Sequence, residues 1–235
     1  MTSTTTASPR TRIKICGLTR EADVDAAVEA GADAIGFVLY PKSPRAVTAE
    51  RAAELASRLP PFFTPVLLFV NQAPQEVMAA LSLVQGAIAQ FHGDETPAQC
   101  EAASGPARFR YMRAARIPLG AAGAGFDLVK YASDYSHAQA ILLDAHVEGY
   151  GGGGKAFDWS LLPPAVDAHL VLSGGLTPAN VSDGIRIVRT RCKTLSVDVS
   201  SGVEIDGPGN KGLKDAAKIR QFVAAVRAAD ASFSS

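Results

Sequence analysis

The sequence predicts a single (β/α)8 barrel of the TIM type, an α/β fold in one domain. Three observations carry this. Short apolar runs rich in Val, Ile, Leu and Phe alternate with helix-patterned segments, giving eight strand–helix units. The length of 235 residues suits one barrel near its lower size limit. Polar residues or glycine pairs follow most of the apolar runs, at the rim where such barrels build their sites. An open doubly wound sheet would want a Gly-x-Gly-x-x-Gly turn after its first strand, and Cys16-Gly-Leu-Thr19 is not one.

Taken in order, Met1–Thr11 is Thr/Ser-rich without an apolar stretch and reads as a disordered tail, not a secretory signal; the barrel is expected over 12–230. Ile13 and Ile15 mark the first strand, Gly17 ends it, and Thr19 is a candidate cap for a helix over Glu21–Ala30. Ala34–Leu39 is a continuous apolar strand of the kind buried on both faces. Tyr40–Arg45 is a loop, because Pro41 and Pro44 exclude helix and sheet interior. Thr48 caps a helix through Leu59; Pro65–Val70 is the third strand and Pro74–Leu83 the next helix. Ala87–Phe91 and Phe109–Arg113 are the fourth and fifth strands, with a helix over Pro97–Ala103 between them. A helix over Phe126–Ser133 leads to the sixth strand, Ala140–Asp144, and a glycine-rich loop over His146–Lys155. Phe157–Leu162 reads as a short helical segment, His169–Ser173 as the seventh strand, and Thr177-Pro178 as the start of a helix to about Val188. Leu195–Asp198 is the eighth strand, and Lys214–Ala229 the last helix.

Composition excludes several classes. With 23 basic and 23 acidic side chains, the chain carries no electrostatic footprint for nucleic acid and no basic run for a membrane surface. No apolar run reaches the roughly 18 residues of a spanning helix. Cys16, Cys100 and Cys192 are scattered without metal-ligand spacing, which suits reduced thiols in a cytoplasmic protein. Cys100, Cys192 and Trp159 read as packing residues.

The remaining polar residues gather at one rim if the barrel is right: Cys16, the Tyr40–Arg45 loop, His92, Arg113, Asp144, Gly151–Gly154, Ser173-Gly-Gly175 and Asp198-Val-Ser-Ser-Gly202. Glycine lets backbone N–H groups approach an anion closely, and in barrels the loops after strands seven and eight commonly hold phosphate. Gly153, Gly154, Gly174, Gly175, Ser200, Ser201 and Gly202 stand in such loops, although paired glycines also make ordinary tight turns. Asp144 ends an apolar strand, where it either caps the next segment or, as a desolvated acid, donates a proton. Cys16, five strands away in sequence, is either a small packed hydrophobe or a thiolate base, with Lys14 two residues upstream to lower its pKa. Arg45 on a proline-rigid loop suits a bidentate grip on a carboxylate or sits solvated. His92 contacts a ligand or the backbone.

Six segments in order resemble the phosphoribosylanthranilate isomerase family of tryptophan biosynthesis. They are Lys14-Ile-Cys-Gly-Leu-Thr19, Gly36-Phe-Val-Leu-Tyr-Pro-Lys-Ser-Pro-Arg45, Gln90-Phe-His-Gly-Asp-Glu95, Leu142-Leu-Asp144, Leu172-Ser-Gly-Gly-Leu176 and Val197-Asp-Val-Ser-Ser-Gly-Val203. The resemblance implies a barrel without metal or organic cofactor that acts on a small phosphosugar, as a monomer or a homodimer. It implies an Amadori rearrangement of N-(5-phosphoribosyl)anthranilate to 1-(o-carboxyphenylamino)-1-deoxyribulose 5-phosphate. Asp144 would then be the general acid and Cys16 the general base. Arg45 would hold the anthranilate carboxylate, His92 and Asp198 would face the substrate, and the glycine and serine loops would cradle the phosphate. Two other readings compete. A phosphosugar isomerase like that of the histidine pathway would use two aspartates, against Cys16. A silent phosphate-binding protein would have lost the acid or the base, and both are present.

Overall fold

The computed structural model describes residues 10–105, 109–146 and 158–233. Eight parallel strands close into a barrel in sequence order: β1 (Arg12–Cys16), β2 (Ala34–Val38), β3 (Thr64–Phe69), β4 (Ile88–Phe91), β5 (Tyr111–Pro118), β6 (Ile141–His146), β7 (Val166–Leu172) and β8 (Cys192–Val199). β8 pairs with β1 through Ser196 beside Arg12 and Asp198 beside Lys14, so the ends of the chain seal the ring.

Strand residues alternate between two cores, as barrel strands must. Ile13, Ile15, Ile35, Phe37, Leu67, Phe69, Val197 and Val199 are buried outward, under the helices. Val66, Met112, Ala114, Ala140, Leu142 and Val171 form a separate cluster inside the ring. This inner set is made partly of alanines. A cavity of 480 Å³ opens at the N-terminal end of the strands, lined by Arg12, Thr64, Met112, His169 and Ser196 among others.

The helices are α1 (Glu21–Glu29), α2 (Ala49–Ala56), α3 (Pro74–Leu83), α4 (Pro97–Ser104), α5 (Leu128–Asp134), α6 (Val181–Val188) and α7 (Ala216–Ala231). Their starts follow local chemistry. The Thr48 hydroxyl accepts from the Arg51 N–H, Thr96 and Gln99 form a reciprocal capping box, and Asp215 accepts from Ala217 and Lys218.

Several sequence expectations are corrected. α1 is preceded by Arg20 with no side-chain cap, not by Thr19; Arg20 is instead ion-paired with Asp23. β5 begins at Tyr111, two residues later than expected, and runs to Pro118, so Arg113 lies within the strand and not at the rim. Its guanidinium donates to the carbonyls of Phe91 and Gly93 and pairs with Glu95, so Arg113 braces the loop after β4. Pro178 opens a turn, because the Thr177 N–H is taken by Asn180 Oδ1, and α6 starts only at Val181. Among the described residues the sixth unit carries a 3-10 turn at Trp159–Leu161 in place of a helix. The end of the glycine-rich loop, with Gly153 and Gly154, lies outside the described residues.

Candidate active site

The C-terminal end of the ring collects a buried polar system that the strands below lack. On β1, Lys14 and Cys16 share the inward face, two residues apart. The Lys14 ammonium donates to Asp198 on β8 at 2.9 Å, and both side chains are almost wholly buried. The same ammonium lies against the Cys16 thiol. Gly36 on β2 makes this possible, since a Cβ there would stand 2.7 Å from the Cys16 sulfur and 3.0 Å from Lys14 Nζ. Burial pushes the Cys16 thiol up; the Lys14 ammonium pulls it down without winning, and the Asp198 carboxylate adds to the rise. The expectation that Lys14 would lower this pKa on balance is therefore reversed. Burial opposes the charge on Lys14, but Asp198 and Cys16 outweigh it and hold the ammonium protonated.

Asp144 sits on β6. Ring closure leaves only β7 and β8 between it and Cys16, against the four strands β2 to β5 that lie between them along the sequence. Its Oδ1 accepts from the Ala145 N–H and its Oδ2 meets His92 Nε2 at 2.9 Å. Nδ1 of His92 meets the Gln90 carboxamide nitrogen at 2.9 Å. The His92 ring thus bridges the Gln90 carboxamide and the Asp144 carboxyl group, both of them side chains and not backbone. Just past β7, the Ser173 hydroxyl donates to Asp198 Oδ2 at 3.4 Å, so Asp198 is held by both Lys14 and Ser173.

The loops after β7 and β8 present backbone. Gly174 and Gly175 have φ of +75° and +66°, conformations that a side chain would strain. A Cβ at Gly174 would also fall 2.8 Å from Asp144 Oδ1, and one at Gly202 would fall 1.9 Å from the Leu176 carbonyl. Among the described residues, the N–H groups of Gly174, Gly175, Ser201 and Gly202 donate to no protein acceptor. Ser200 is used differently: its hydroxyl donates to the Cys16 carbonyl at 3.1 Å, which ties this loop to β1.

Arg45 is buried, not a solvated surface arginine. Its Nε and Nη2 donate to the two oxygens of Glu204 at 2.6 and 3.1 Å. Lys214 donates to Glu204 Oε1 at 3.1 Å and to the Ser200 carbonyl at 3.0 Å. The stem of Arg45 crosses Gly17, where a Cβ would meet its Cδ at 2.5 Å. Sequence reading missed Glu204 and Lys214. They flank the turn Gly207-Pro-Gly-Asn210 and meet there as an antiparallel bridge. Cys100 is fully buried in α4 with its thiol pushed up to about 12, and Cys192 starts β8 away from this end. Among the described residues no cluster of His, Cys, Asp and Glu is arranged to hold a metal ion. No helix among them is long and apolar enough to cross a membrane.

Comparison with known proteins identifies the family of the whole chain. The family model for N-(5'-phosphoribosyl)anthranilate isomerase matches residues 13–225. The N-(5'-phosphoribosyl)anthranilate isomerase of Methylibium petroleiphilum is 62% identical over 222 residues, covering 94% of this chain and 96% of the relative. The crystal structure of the phosphoribosyl anthranilate isomerase of Thermotoga maritima superposes with a TM-score of 0.78 at 38% identity, covering 93% of this chain and 99% of that one. A phosphoribosyl anthranilate isomerase solved with reduced 1-(o-carboxyphenylamino)-1-deoxyribulose 5-phosphate gives 0.74 at 36%, with the same coverage. This chain therefore belongs to the N-(5'-phosphoribosyl)anthranilate isomerase family.

Proposed function

We propose that the chain performs its family's isomerisation with Asp144 as general acid and Cys16 as general base. The observation that carries this is that two buried polar clusters share one rim: Cys16 and Lys14 with Asp198, and Asp144 with His92. Asp144 gives a proton to the furanose ring oxygen; the C1–O bond breaks as the anilino nitrogen lone pair forms the C=N bond. The Cys16 thiolate then removes the proton at C2, and those electrons move toward the Schiff-base nitrogen to give an enolamine. Tautomerisation of the enolamine places the carbonyl at C2. The Lys14 ammonium stabilises the thiolate while Asp198 keeps it in place.

The free N–H groups of Gly174, Gly175, Ser201 and Gly202 bind the phosphate, as backbone nests do. Gly153 and Gly154 are proposed to join them, and Ser200 acts by fixing their loop. Arg45 grips the anthranilate carboxylate with the Nη1 edge that Glu204 leaves open. The three free thiols suit a cytoplasmic protein. The test separates the two proton transfers. With substrate deuterated at C2, Asp144→Asn should turn over slowly without a primary isotope effect, because ring opening limits. Full activity in that variant, or an isotope effect as large as that of the unaltered chain, would remove Asp144 as the acid.

A further inference from the structure

Glu204 touches neither Asp144 nor Cys16, yet it joins the two anion grips. Its carboxylate is buried and receives both Nε and Nη2 of Arg45 along with the Nζ of Lys214. Lys214 in turn holds the Ser200 carbonyl at 3.0 Å and reaches its hydroxyl at 3.4 Å. That hydroxyl is the one bonded to the Cys16 carbonyl. The ribbon that carries both residues is closed by Ile205 N–H to the Leu213 carbonyl and Asp215 N–H to the Val203 carbonyl, each at 2.9 Å. Gly212 in the same ribbon packs on the Pro44 carbonyl and the Arg45 stem.

We propose that Glu204 is a positioning residue that couples the carboxylate grip at Arg45 to the phosphate loop at Ser200–Gly202, through Lys214. Its two oxygens fix the plane of the guanidinium, which a single acceptor would leave free to rotate. Sharing Oε1 with Lys214 means that a shift of Arg45 pulls on the ammonium that holds Ser200. The group has two cations and one anion, so it carries one buried positive charge in excess beside the place where the substrate's anions enter. Burial opposes charge on Glu204, but Arg45 and Lys214 outweigh it and keep the carboxyl below its usual range, whereas burial lowers Lys214 despite Glu204. A docked carboxylate on Arg45 balances the surplus and strengthens the hold of Lys214 on the loop. Coupling of this kind between sites is typically worth about 5- to 150-fold in affinity.

The inference rests on the reading that Arg45 grips the carboxylate, so the experiment carries a control for it. Affinities for reduced 1-(o-carboxyphenylamino)-1-deoxyribulose 5-phosphate and for inorganic phosphate are measured by calorimetry on the full chain and on Arg45→Ala, Glu204→Gln and Lys214→Gln. Glu204→Gln should weaken the analogue by about tenfold or more and also weaken phosphate, raising KM more than it lowers kcat. Lys214→Gln tests the same hub from the other side and serves if Glu204→Gln does not fold. It should weaken phosphate and, in addition, make the loss from Arg45→Ala smaller in the double variant than in the single one. If Arg45→Ala weakens the analogue while Glu204→Gln leaves both ligands within about twofold, or weakens the analogue alone, the coupling is wrong and the carboxylate reading stands. If Arg45→Ala binds the analogue unchanged, the carboxylate reading fails first and the coupling with it. Strictly additive losses for Arg45→Ala and Lys214→Gln also overturn it.

Discussion

The two ends of each strand are made of different material. Upward along β8 the inward residues are Thr194, Ser196 and Asp198; along β6 they pass from the aliphatic Leu142 to Asp144. At the upper end every charge has a named partner a strand or two away: Lys14 with Asp198, Asp144 with His92, Arg45 and Lys214 with Glu204. At the lower end the ring is open, His169 bonds Thr194 at 2.5 Å and Ser196 at 2.8 Å, and the ion pairs, exposed Arg12 with Asp33 and Arg189 with Asp230, lie around the ring and not inside it. Buried charges cost several kcal/mol each in desolvation and are kept only where they are paired. The upper end bears that cost inside the ring, at Lys14 and Asp198, whereas the lower end keeps its ion pairs at the periphery, at Asp33 and Asp230.

The comparison breaks most sharply at Cys16. Cys16→Ala removes one small buried side chain, so the fold should survive, but kcat should fall by about 10² to 10⁴, the usual worth of a general base. Circular dichroism with kcat measures both. Retention of more than about a tenth of the activity would make Cys16 a packed thiol and leave the upper end without its base.

A smaller effect sharpens the same contrast through pH. Because burial raises the Cys16 thiol above its ordinary value of about 8.5, the thiolate fraction grows from neutral toward alkaline pH, and kcat should rise with it until loss of the proposed acid's proton limits the rate. The sign for stability is opposite. A group whose pKa is raised by folding stabilises the native state below its unfolded value, and that stability is lost as the pH rises through the folded one. Melting temperature should therefore fall on the alkaline side while rate rises, and Cys16→Ala should flatten both profiles. A pH-independent kcat from neutral to alkaline conditions would contradict the assignment.

The smallest effect is expected below. His169→Leu removes two hydrogen bonds at the open end, a loss of about 1 kcal/mol in stability by denaturant melts, with kcat unchanged. A drop in kcat there would mean that the two ends are not separable in function.

How much of this was legible in sequence differs by physical cause. Periodicity carried the ring: alternation at Ile13 and Ile15 puts Lys14 and Cys16 on the other face without further information, and the glycine pairs stand where the backbone must bend to positive φ. Elements set by long-range competition were misplaced. β5 slid because Arg113 reads as a strand end, but its guanidinium is spent on the carbonyls of Phe91 and Gly93. Glu204 and Lys214 were invisible because a charged residue beside a glycine turn looks solvated until the partner loop covers it. The direction of the Cys16 shift depends on how completely the site excludes water, which no spacing encodes.

The pairing of β8 with β1 sets the order in which function appears during synthesis. Lys14 and Asp198 are 184 residues apart in sequence, as are Cys16 and Ser200, and Thr11 and Asp230 are separated by 219. A nascent chain released only through the loop after β7 already carries Cys16, Asp144 and Gly174-Gly175, but Lys14 has no counter-ion and the Cys16 carbonyl no Ser200 to hold it. Contacts of such separation form late, since the loop they close is the longest in the molecule. Catalytic competence is therefore a report on completion: the reaction becomes available only when the final strand has been made and docked. Turnover measured during refolding should lag behind the recovery of helical signal by the time that last closure takes.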